Sequence, residues 1–288
     1  MHIVKISAGL GNQLFGYAFA LVLNELYGDV KLDLGWFESH DHHNGYELDR
    51  LFDLRLPAAS PEECKALGDL SPSIANRFRR KYLWTRRSHH RQRKSGYDPH
   101  YLQATHDCYF EGYWQSYRYF EGREDMIRAA LRFVPPESAG NRSLLSASRG
   151  RTLVGIHVRR GDYVDSRLLG GAFGIEYYRE ALAAALEGAT RPLLLFFSDD
   201  LDWCRESLPA ACETVYVDWN RGDQSFQDMR LMTACDRLVI CNSSFSWWGA
   251  WLNNRSERSI FAPERWFSQG YTDNEEIIPP DWIRVPGR

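Results

Sequence analysis

The stretch TLVGIHVRRGDY, residues 152–163, passes directly from an apolar run into two adjacent arginines, a glycine and an aspartate. A nearly uninterrupted apolar run is typical of a strand buried on both faces of a parallel sheet. Open α/β sheets bind their ligands beyond the carboxyl ends of such strands. The stretch therefore predicts an α/β fold with a charged turn at a ligand-binding edge.

The rest of the chain alternates between strand-like and helix-like patterns. At the N-terminus a strand-like HIVKI is followed by a helical pattern that Gly28 ends, and a second strand-like run lies at 30–34. Downstream of the quoted stretch, helical segments separate four further strand-like runs, at 192–198, 214–219, 237–242 and 259–263. Alternating strands and helices predict βαβ units and parallel sheets.

A segment rich in Pro, Gly and Ser, PPESAGNRSLLSASRG at 135–150, is typical of a linker. It predicts two domains, residues 1–140 and 150–288, each long enough to form its own core. The predicted architecture is a pair of α/β domains that face each other across a cleft.

The composition is that of a globular protein, with 44% hydrophobic and 25% charged residues among 288. A net charge of −3 gives no general attraction to nucleic acid. No run reaches the roughly 18 apolar residues of a membrane span, and the N-terminus lacks the basic region of a signal peptide. The six cysteines show no CxxC pair and no Cys/His zinc spacing. We therefore expect a cytoplasmic protein with reduced thiols.

The arginine pair after the strand allows two interpretations. Side chains alternate along a strand, so His157 and Arg159 are expected on one face and Arg160 on the other. One guanidinium can then form bidentate bonds to a diphosphate while the other pairs with a carboxylate such as Asp162. The alternative is a salt-bridged surface pair that binds no ligand.

A second polar cluster, Ser198, Asp199 and Asp200, falls where a predicted strand ends and a helix begins. An aspartate at such a position is most often a helix N-cap. The functional alternatives are a contact to a bound nucleotide or a metal-binding aspartate pair. We predict no metal, because no further carboxylate or histidine lies at ligand spacing.

A third cluster, NSSFS at 242–246, also lies between a strand and a helix. Small hydroxyl residues at a helix N-terminus present backbone N–H groups and the positive end of the helix dipole to a phosphate. The same residues would also serve as a simple N-cap. The nearby arginine pair favours the phosphate interpretation.

Two other segments leave alternatives open. SAGLGNQLFG near the N-terminus resembles a dinucleotide fingerprint, but Leu14 occupies the place of the third glycine, and Asp33 would be the ribose-binding acid. The segment 77–94 contains nine Arg or Lys and two His. It is either a solvated face or a patch for an anionic acceptor or membrane surface.

Together these segments resemble one family. HVRRGDY (157–163), the SDD segment, NSSFSWWGAWL (242–252) and SAGLGNQLFGYA are similar to signature segments of bacterial α-1,2-fucosyltransferases. FEGYWQSYRYF (110–120) and the region 216–232 are similar as well, whereas the basic segment 77–94 has no match. The order and spacing agree over the whole chain. The HxRRxD pattern is shared with α-1,6- and protein O-fucosyltransferases, and NSSFSWWGAWL narrows the resemblance to the α-1,2 group.

The resemblance implies a GT-B fold with an acceptor-side N-terminal domain and a Rossmann-like donor domain that binds GDP-fucose. It implies an inverting, metal-independent transfer of L-fucose to the 2-hydroxyl of a sugar, typically galactose, in an oligosaccharide or lipid-linked glycan. No cofactor is expected. The expected location is the cytoplasm, with the basic segment 77–94 as a candidate for peripheral contact with the inner membrane.

The resemblance also implies site residues. Arg159 would neutralise the departing phosphate and His157 would contact guanine or ribose, while Asp228, fifteen residues before Ser243, lies at the offset of a guanine-binding aspartate. The expected donor-binding residues are His157, Arg159, Asp199, Asp228, Asn242, Ser243, Ser244 and Phe245. The expected acceptor-binding residues are Asn12, Gln13, Trp36, Trp114 and Tyr117.

Charge develops on the diphosphate as the fucosyl bond breaks, and without a metal an arginine and a helix N-terminus must stabilise it. An inverting displacement also calls for a base on the acceptor hydroxyl. Asp162 is the first candidate, because it ends the arginine motif, and Glu176 is the second. Either could instead be a salt-bridge partner.

Two other classes of function remain compatible with the residues. The partial glycine fingerprint is compatible with a dinucleotide-binding oxidoreductase. The aromatic content of 14%, with ten tryptophans, suits either a non-catalytic glycan-binding protein or simply a large core.

Overall fold

A computed structural model describes residues 1–40, 44–71, 73–82, 86–161, 173–267 and 276–287. The chain divides into two compact units, Met1–Val134 and Pro135–Arg288. Within the described ranges, no helix is both long and apolar enough to cross a membrane. All six cysteines are free thiols, and all but Cys212 are buried.

The first unit is built on a parallel four-stranded sheet in the order β2-β1-β4-β3. Its strands are β1 (His2–Lys5), β2 (Val30–Asp33), β3 (His89–Arg91) and β4 (Cys108–Glu111). Its helices are α1 (Leu10–Tyr27), α2 (Leu48–Leu51), α3 (Pro61–Leu67), α4 (Ile74–Tyr82) and α5 (Glu124–Ala130). The expected β1–α1–β2 opening is confirmed.

The second unit contains a parallel six-stranded sheet in the order β10-β9-β8-β5-β6-β7. Its strands are β5 (Leu153–Val158), β6 (Leu193–Ser198), β7 (Glu213–Tyr216), β8 (Arg237–Val239), β9 (Ser259–Pro263) and β10 (Ile283–Val285). Its helices are α6 (Ala139–Ala147), α7 (Ile175–Leu186), α8 (Leu201–Ser207), α9 (Phe226–Met232) and α10 (Ser244–Leu252). Every residue of β5 is buried, as expected for a central parallel strand.

The segment predicted as a linker, 135–150, consists largely of helix α6. Ser138 caps this helix by accepting a hydrogen bond from the Asn141 backbone N–H at 3.2 Å. The buried Asn141 side chain donates to the Gln227 carbonyl oxygen at 2.9 Å, which ties α6 to α9. Serine and proline before a helix are start signals as much as linker residues, and composition alone did not separate the two.

The turn between β1 and α1 is held by the side chain of Gln13. Gln13 is fully buried, and its amide nitrogen donates to the carbonyl oxygens of Ala8 and Gly45, both at 2.8 Å. Its side-chain oxygen accepts from the Glu47 backbone N–H at 3.0 Å. Ala8 has a left-handed φ of 64°, so the turn is one that needs such support.

We expect Gln13→Ala to lower the free energy of unfolding by roughly 2–5 kcal/mol, because it leaves buried backbone groups without partners. Denaturant titration measures the loss. The neighbouring, partly exposed Asn12 provides the control, and Asn12→Ala should cost less than about 1 kcal/mol. Equal effects of the two substitutions would contradict the structural role of Gln13.

Candidate functional site

The three polar segments predicted from the sequence meet at the carboxyl edge of the six-stranded sheet. The chain runs outward from β5 through β6 to β7 and then crosses to β8, on the other side of β5. The strand order thus reverses between β5 and β8, and open α/β sheets bind ligands at such a switch point. Because β5 pairs with both β6 and β8, the segments that follow these strands are neighbours.

His157 lies near the end of β5 and is almost fully buried. Its Nδ1 is 3.3 Å from the Cys241 sulfur, and its ring centroid is 6.0 Å from that of Phe245. Burial, together with the charge of Arg159, lowers the pKa of His157 to about 3. The imidazole is therefore neutral at physiological pH and can act as a hydrogen-bonding group but not as a counter-ion.

Asp199 fastens the loop after β5. Its carboxylate accepts hydrogen bonds from the backbone N–H groups of Arg160 and Gly161, each at 3.0 Å. It also pairs with the Arg159 guanidinium at 3.3 Å. A Cβ on Gly161 would lie 2.7 Å from the same carboxylate, so glycine allows this close approach. Asp199 thus orients the loop and Arg159, and its contact to the donor stays a prediction.

Arg160 is held by a different set of neighbours. Its Nε lies 3.3 Å from Asp200, and its guanidinium stacks 4.2 Å above the ring of Trp203. The two arginines therefore have separate carboxylate partners, as strand alternation suggests. Arg160 fixes the loop through these two contacts, and about a third of the Arg159 side chain is exposed.

The SDD segment forms a helix cap. Asp200 is the N-cap of α8 and accepts from the Trp203 backbone N–H at 3.1 Å. Ser198 accepts from the Asp200 backbone N–H at 2.9 Å. The N-cap interpretation is confirmed for Asp200, and both aspartates face arginines.

The loop after β8 leads into helix α10. Ser243 is its buried N-cap residue, and within the described residues its side chain makes no capping hydrogen bond. Asn242 is also buried and donates to the Trp266 carbonyl oxygen at 3.1 Å. Ser244 and Phe245, in the first turn, are partly exposed. The first turn of α10 thus offers backbone N–H groups and hydroxyls at the switch point.

The tryptophans of α10 belong to the core. Trp247 and Trp248 are fully buried, and Trp251 is 5% exposed. Trp247 donates from Nε1 to the Ile277 carbonyl oxygen at 2.6 Å. For these three rings the large-core interpretation of the aromatic content is correct, and they fix the helix whose N-terminus faces the switch point.

Asp228 occupies the first turn of α9 and accepts a hydrogen bond from the Asn220 side chain at 2.8 Å. Asn220 donates in turn to Asn141, and its side-chain oxygen accepts from Ser138 at 3.0 Å. Burial raises the pKa of Asp228 to about 7. The carboxyl group is therefore poised between its neutral and charged forms near physiological pH.

Of the two candidate bases, only Glu176 lies within the described residues. Glu176 is exposed in the first turn of α7, close to Gly174, the N-cap residue. Asp162 lies outside the described residues.

The polar acceptor candidates in the first unit have different environments. The buried Gln13 side chain is engaged with three backbone groups, so Gln13 is corrected from an acceptor contact to a structural residue. Asn12 is partly exposed and accepts from the Gln115 amide at 2.6 Å. Gln115 was not identified from the sequence, since nothing local marks it.

The aromatic acceptor candidates differ in burial. Trp114 is fully buried and stacks on Phe19 with centroids 4.1 Å apart, so it is a core residue and offers no face to a sugar. Trp36 is partly exposed, with its ring stacked 4.4 Å from that of His40. Tyr117 is also partly exposed. Trp36 and Tyr117 therefore remain candidates.

Asp33 does not have the environment of a ribose-binding acid. One of its oxygens accepts from the Tyr109 hydroxyl, and the other accepts from the Gly35 backbone N–H at 2.9 Å. Asp33 is buried in this arrangement. The dinucleotide-binding alternative therefore lacks a ribose-binding acid at Asp33, in addition to the third glycine of the fingerprint.

A charged cluster at the carboxyl edge of the first sheet was missed by sequence reasoning. Glu111 pairs with Lys5 at 2.8 Å and with His89 at 3.2 Å. These partners lower the pKa of Glu111 to about 2, so it is a weak base. The three residues of this cluster come from β1, β3 and β4, which are far apart in the sequence, and only the strand pairing brings them together.

Comparison with known proteins identifies relatives over the full length. The model of glycosyl transferase family 11 matches residues 80–286. An Escherichia coli protein named α-1,2-colitosyltransferase is 28% identical, with 98% of each chain covered. The O-antigen biosynthesis glycosyltransferase WbnK of Escherichia coli is 23% identical, covering 97% of this chain and 99% of its own. Galactoside α-(1,2)-fucosyltransferase 1 of Ateles belzebuth is 32% identical over 49% of this chain and 40% of its own.

Solved structures give the fold. NodZ α-1,6-fucosyltransferase, soaked with GDP-fucose, aligns with a TM-score of 0.55 at 14% identity, covering 87% of this chain and 91% of its own. POFUT1 in complex with GDP aligns with a TM-score of 0.53 at 14% identity, covering 91% and 97%. Both have the GT-B fold, so the predicted fold class is confirmed. With its family model matched over most of the sequence, the chain belongs to glycosyl transferase family 11.

Proposed function

We propose that the protein transfers L-fucose from GDP-fucose to the 2-hydroxyl of a galactose or related sugar in an oligosaccharide or lipid-linked glycan. The observation that carries this proposal is the switch point between β5 and β8, where Arg159 and the first turn of α10 face the same edge. An oriented guanidinium and a helix N-terminus suit a diphosphate leaving group. Membership of family 11 and its α-1,2-linking relatives support the reaction type.

In the proposed complex Arg159 binds the β-phosphate and stabilises the negative charge that develops as the fucosyl–oxygen bond breaks. Asp199 holds the guanidinium in place beforehand, so little reorganisation is needed during the reaction. Ser243 and Ser244 supply hydroxyl and backbone N–H groups at the start of α10. Asn242 and Phe245 complete the diphosphate side of the pocket.

His157 and Asp228 would recognise the nucleoside, because a neutral imidazole and a carboxylate can both form hydrogen bonds with the uncharged guanine and ribose. His157 is held neutral and is assigned to the guanine or ribose. Asp228 is assigned to the N–H edge of guanine, because a carboxylate can accept two hydrogen bonds from that edge. Its raised pKa would fall when these bonds form, since hydrogen bonds to the charged form favour it.

The acceptor is assigned to the first unit through Asn12, Trp36 and Tyr117. Trp36 and Tyr117 offer partly exposed rings to a sugar face, and Asn12 adds a polar contact. Asp162, or in second place Glu176, would take the proton from the acceptor hydroxyl. In this scheme the chain's own cation and helix N-terminus stabilise the leaving group, and no metal ion is required.

The donor sugar has a second candidate. The relative named α-1,2-colitosyltransferase matches the whole length of the chain. Colitose differs from fucose in lacking the 3-hydroxyl, so the two GDP sugars share the same leaving group and the same 2-hydroxyl linkage chemistry. Discrimination would then rest on one hydroxyl of the donor.

The proposal is tested with purified protein, excess EDTA and a panel of GDP-fucose, GDP-colitose, GDP-mannose, UDP-galactose and NAD. We expect transfer to a β-galactoside from GDP-fucose, with GDP stabilising the protein against heat and NAD having no effect. GDP-colitose as the much better donor would favour the second candidate. Transfer that EDTA abolishes and Mn²⁺ restores, in protein shown to be folded, would contradict the metal-independent scheme.

Arg159 and Arg160 form a matched pair for testing the phosphate role. We expect Arg159→Ala to lower kcat/KM at least about 100-fold and to abolish measurable GDP-fucose binding, since one stabilising donor contributes a factor of that size. Arg160→Ala should mainly lower the unfolding midpoint, because it removes the Asp200 pair and the Trp203 stacking. Wild-type turnover in Arg159→Ala would refute the assignment.

We also propose that the basic segment 77–94 contacts an anionic membrane surface. In helix α4, Ile74 and Phe78 lie one turn apart and are 87% and 59% accessible, and Arg87 and Lys94, later in the same segment, are exposed as well. Basic side chains flanking exposed apolar residues are typical of interfacial binding. Arg79 is excluded from this surface, because it pairs with the buried Asp69 at 2.6 Å.

Cosedimentation with vesicles containing phosphatidylglycerol measures this contact, with pure phosphatidylcholine vesicles as the reference. Changing both Arg87 and Lys94 to Glu should weaken binding roughly tenfold or more, since each basic residue contributes about 1 kcal/mol. The same change at the exposed Arg149 and Arg191 is the control. Equal binding to both vesicle types would refute the proposal.

A further inference from the structure

The first unit, which does not contain the proposed donor site, brings two histidines and a cysteine together. The ligand atoms of His90, His106 and Cys108 all lie within 4.8 Å of one another. Cys108 begins β4, and His106 lies in the loop just before it. His90 is paired with Phe110 across β3 and β4, so it lies on the same face of the sheet as Cys108.

Two imidazole nitrogens and one thiol sulfur are the ligand types found in zinc sites. His90 Nε2 is buried and, among the described residues, has no hydrogen-bond partner. His106 Nε2 lies 3.3 Å from the Arg87 carbonyl oxygen. If that nitrogen carries the proton, the lone pair is on Nδ1, and a backbone carbonyl fixes the ring as in second-shell contacts of metal sites. A buried imidazole nitrogen without a partner is costly unless something else satisfies it.

The ring of His90 is enclosed by other rings of the first unit. It packs against Phe110 at 5.3 Å and lies 5.7 and 6.0 Å from the rings of His100 and His106. The second imidazole of the cluster is therefore a direct neighbour of the first.

We propose that His90, His106 and Cys108 bind a Zn²⁺ ion, with water completing a tetrahedral site. Nitrogen and sulfur donors suit zinc, whereas Ca²⁺ and Mg²⁺ need oxygen ligands. On binding, the Cys108 thiol gives its proton to solvent and ligates as the thiolate.

The position of the site indicates a structural role. β3 has only three residues and lies at the edge of the sheet, where pairing to β4 is its main attachment. An ion held between β3 and the start of β4 would fasten that edge. None of its ligands belongs to the proposed donor, acceptor or base residues, so the inference does not depend on the proposed function.

Zinc binding is measured on untagged protein that has been treated with EDTA and desalted, by metal analysis and by competition with a zinc chelator dye. Co²⁺ serves as a spectroscopic probe, since a thiolate ligand gives an intense near-ultraviolet band. We expect one zinc per chain, a thiolate–cobalt band, and an unfolding midpoint that rises with zinc.

His106→Ala and Cys108→Ser should each lower zinc affinity at least about 100-fold and abolish the zinc-dependent rise of the midpoint. His40→Ala and Cys212→Ser remove the same residue types outside the cluster and should bind zinc like wild type. His106 lies in a loop, so its variant tests the site even if Cys108→Ser destabilises β4. No zinc bound to wild type at micromolar concentration, or wild-type affinity in both ligand variants, would overturn the proposal.

Discussion

The loop that ends β5 depends on the register between β5 and β6. Val158 is paired with Ser198, so the two arginines and the two aspartates that follow continue the same register. Arg159 meets Asp199, and Arg160 meets Asp200, at 3.3 Å each. Two adjacent like charges at one strand end would repel each other, and the in-register neighbours of opposite charge remove that cost. A shift of one residue would break both pairs at once.

This arrangement also explains how Arg159 could serve an anionic ligand. Asp199 also holds the loop through two backbone N–H groups, and its contact to Arg159 leaves other N–H groups of the guanidinium to bind a phosphate. Asp200 and Trp203 hold Arg160 independently. The loop and Arg159 can thus keep their positions when an anion binds, which is what a preorganised anion site requires.

Sequence patterns predicted the second unit better than the first for a physical reason. β5, β6, β8 and β9 lie in apolar runs separated by helical patterns, so their positions and parallel pairing could be inferred. β10 reads IRV, has two exposed residues and was not predicted. β3 and β4 are three and four residues long, and β3 reads HHR, which carries no apolar signal. The residues of helix α6 predict a linker, because Pro, Gly and Ser are common both to linkers and to the starts of helices.

The sequence predicts a site residue where its type and its position at the end of a strand determine its role. It does not predict a role that depends on which residues pack around the side chain in the folded protein. The arginine, SDD and NSSFS segments could be placed at one edge by topology alone. Trp114 and Gln13 were misassigned, because a tryptophan or an amide in a polar segment gives no sign of whether it is buried. Burial is decided by packing partners such as Phe19, which lie far away in the sequence.

The histidine–cysteine cluster follows the same logic, and it changes what a chelator experiment means. Zinc motifs in sequences assume ligands at fixed short spacings along the chain, whereas here the pairing of β3 with β4 brings His90 near Cys108. A chelator would then act on the stability of the first unit, while the leaving-group chemistry assigned to the second unit would not need the ion. Loss of activity on chelation would therefore have one of two physical causes, and its dependence on temperature separates them. Unfolding of the first unit depends steeply on temperature. Removal of a catalytic ion would instead abolish turnover in protein that is still folded.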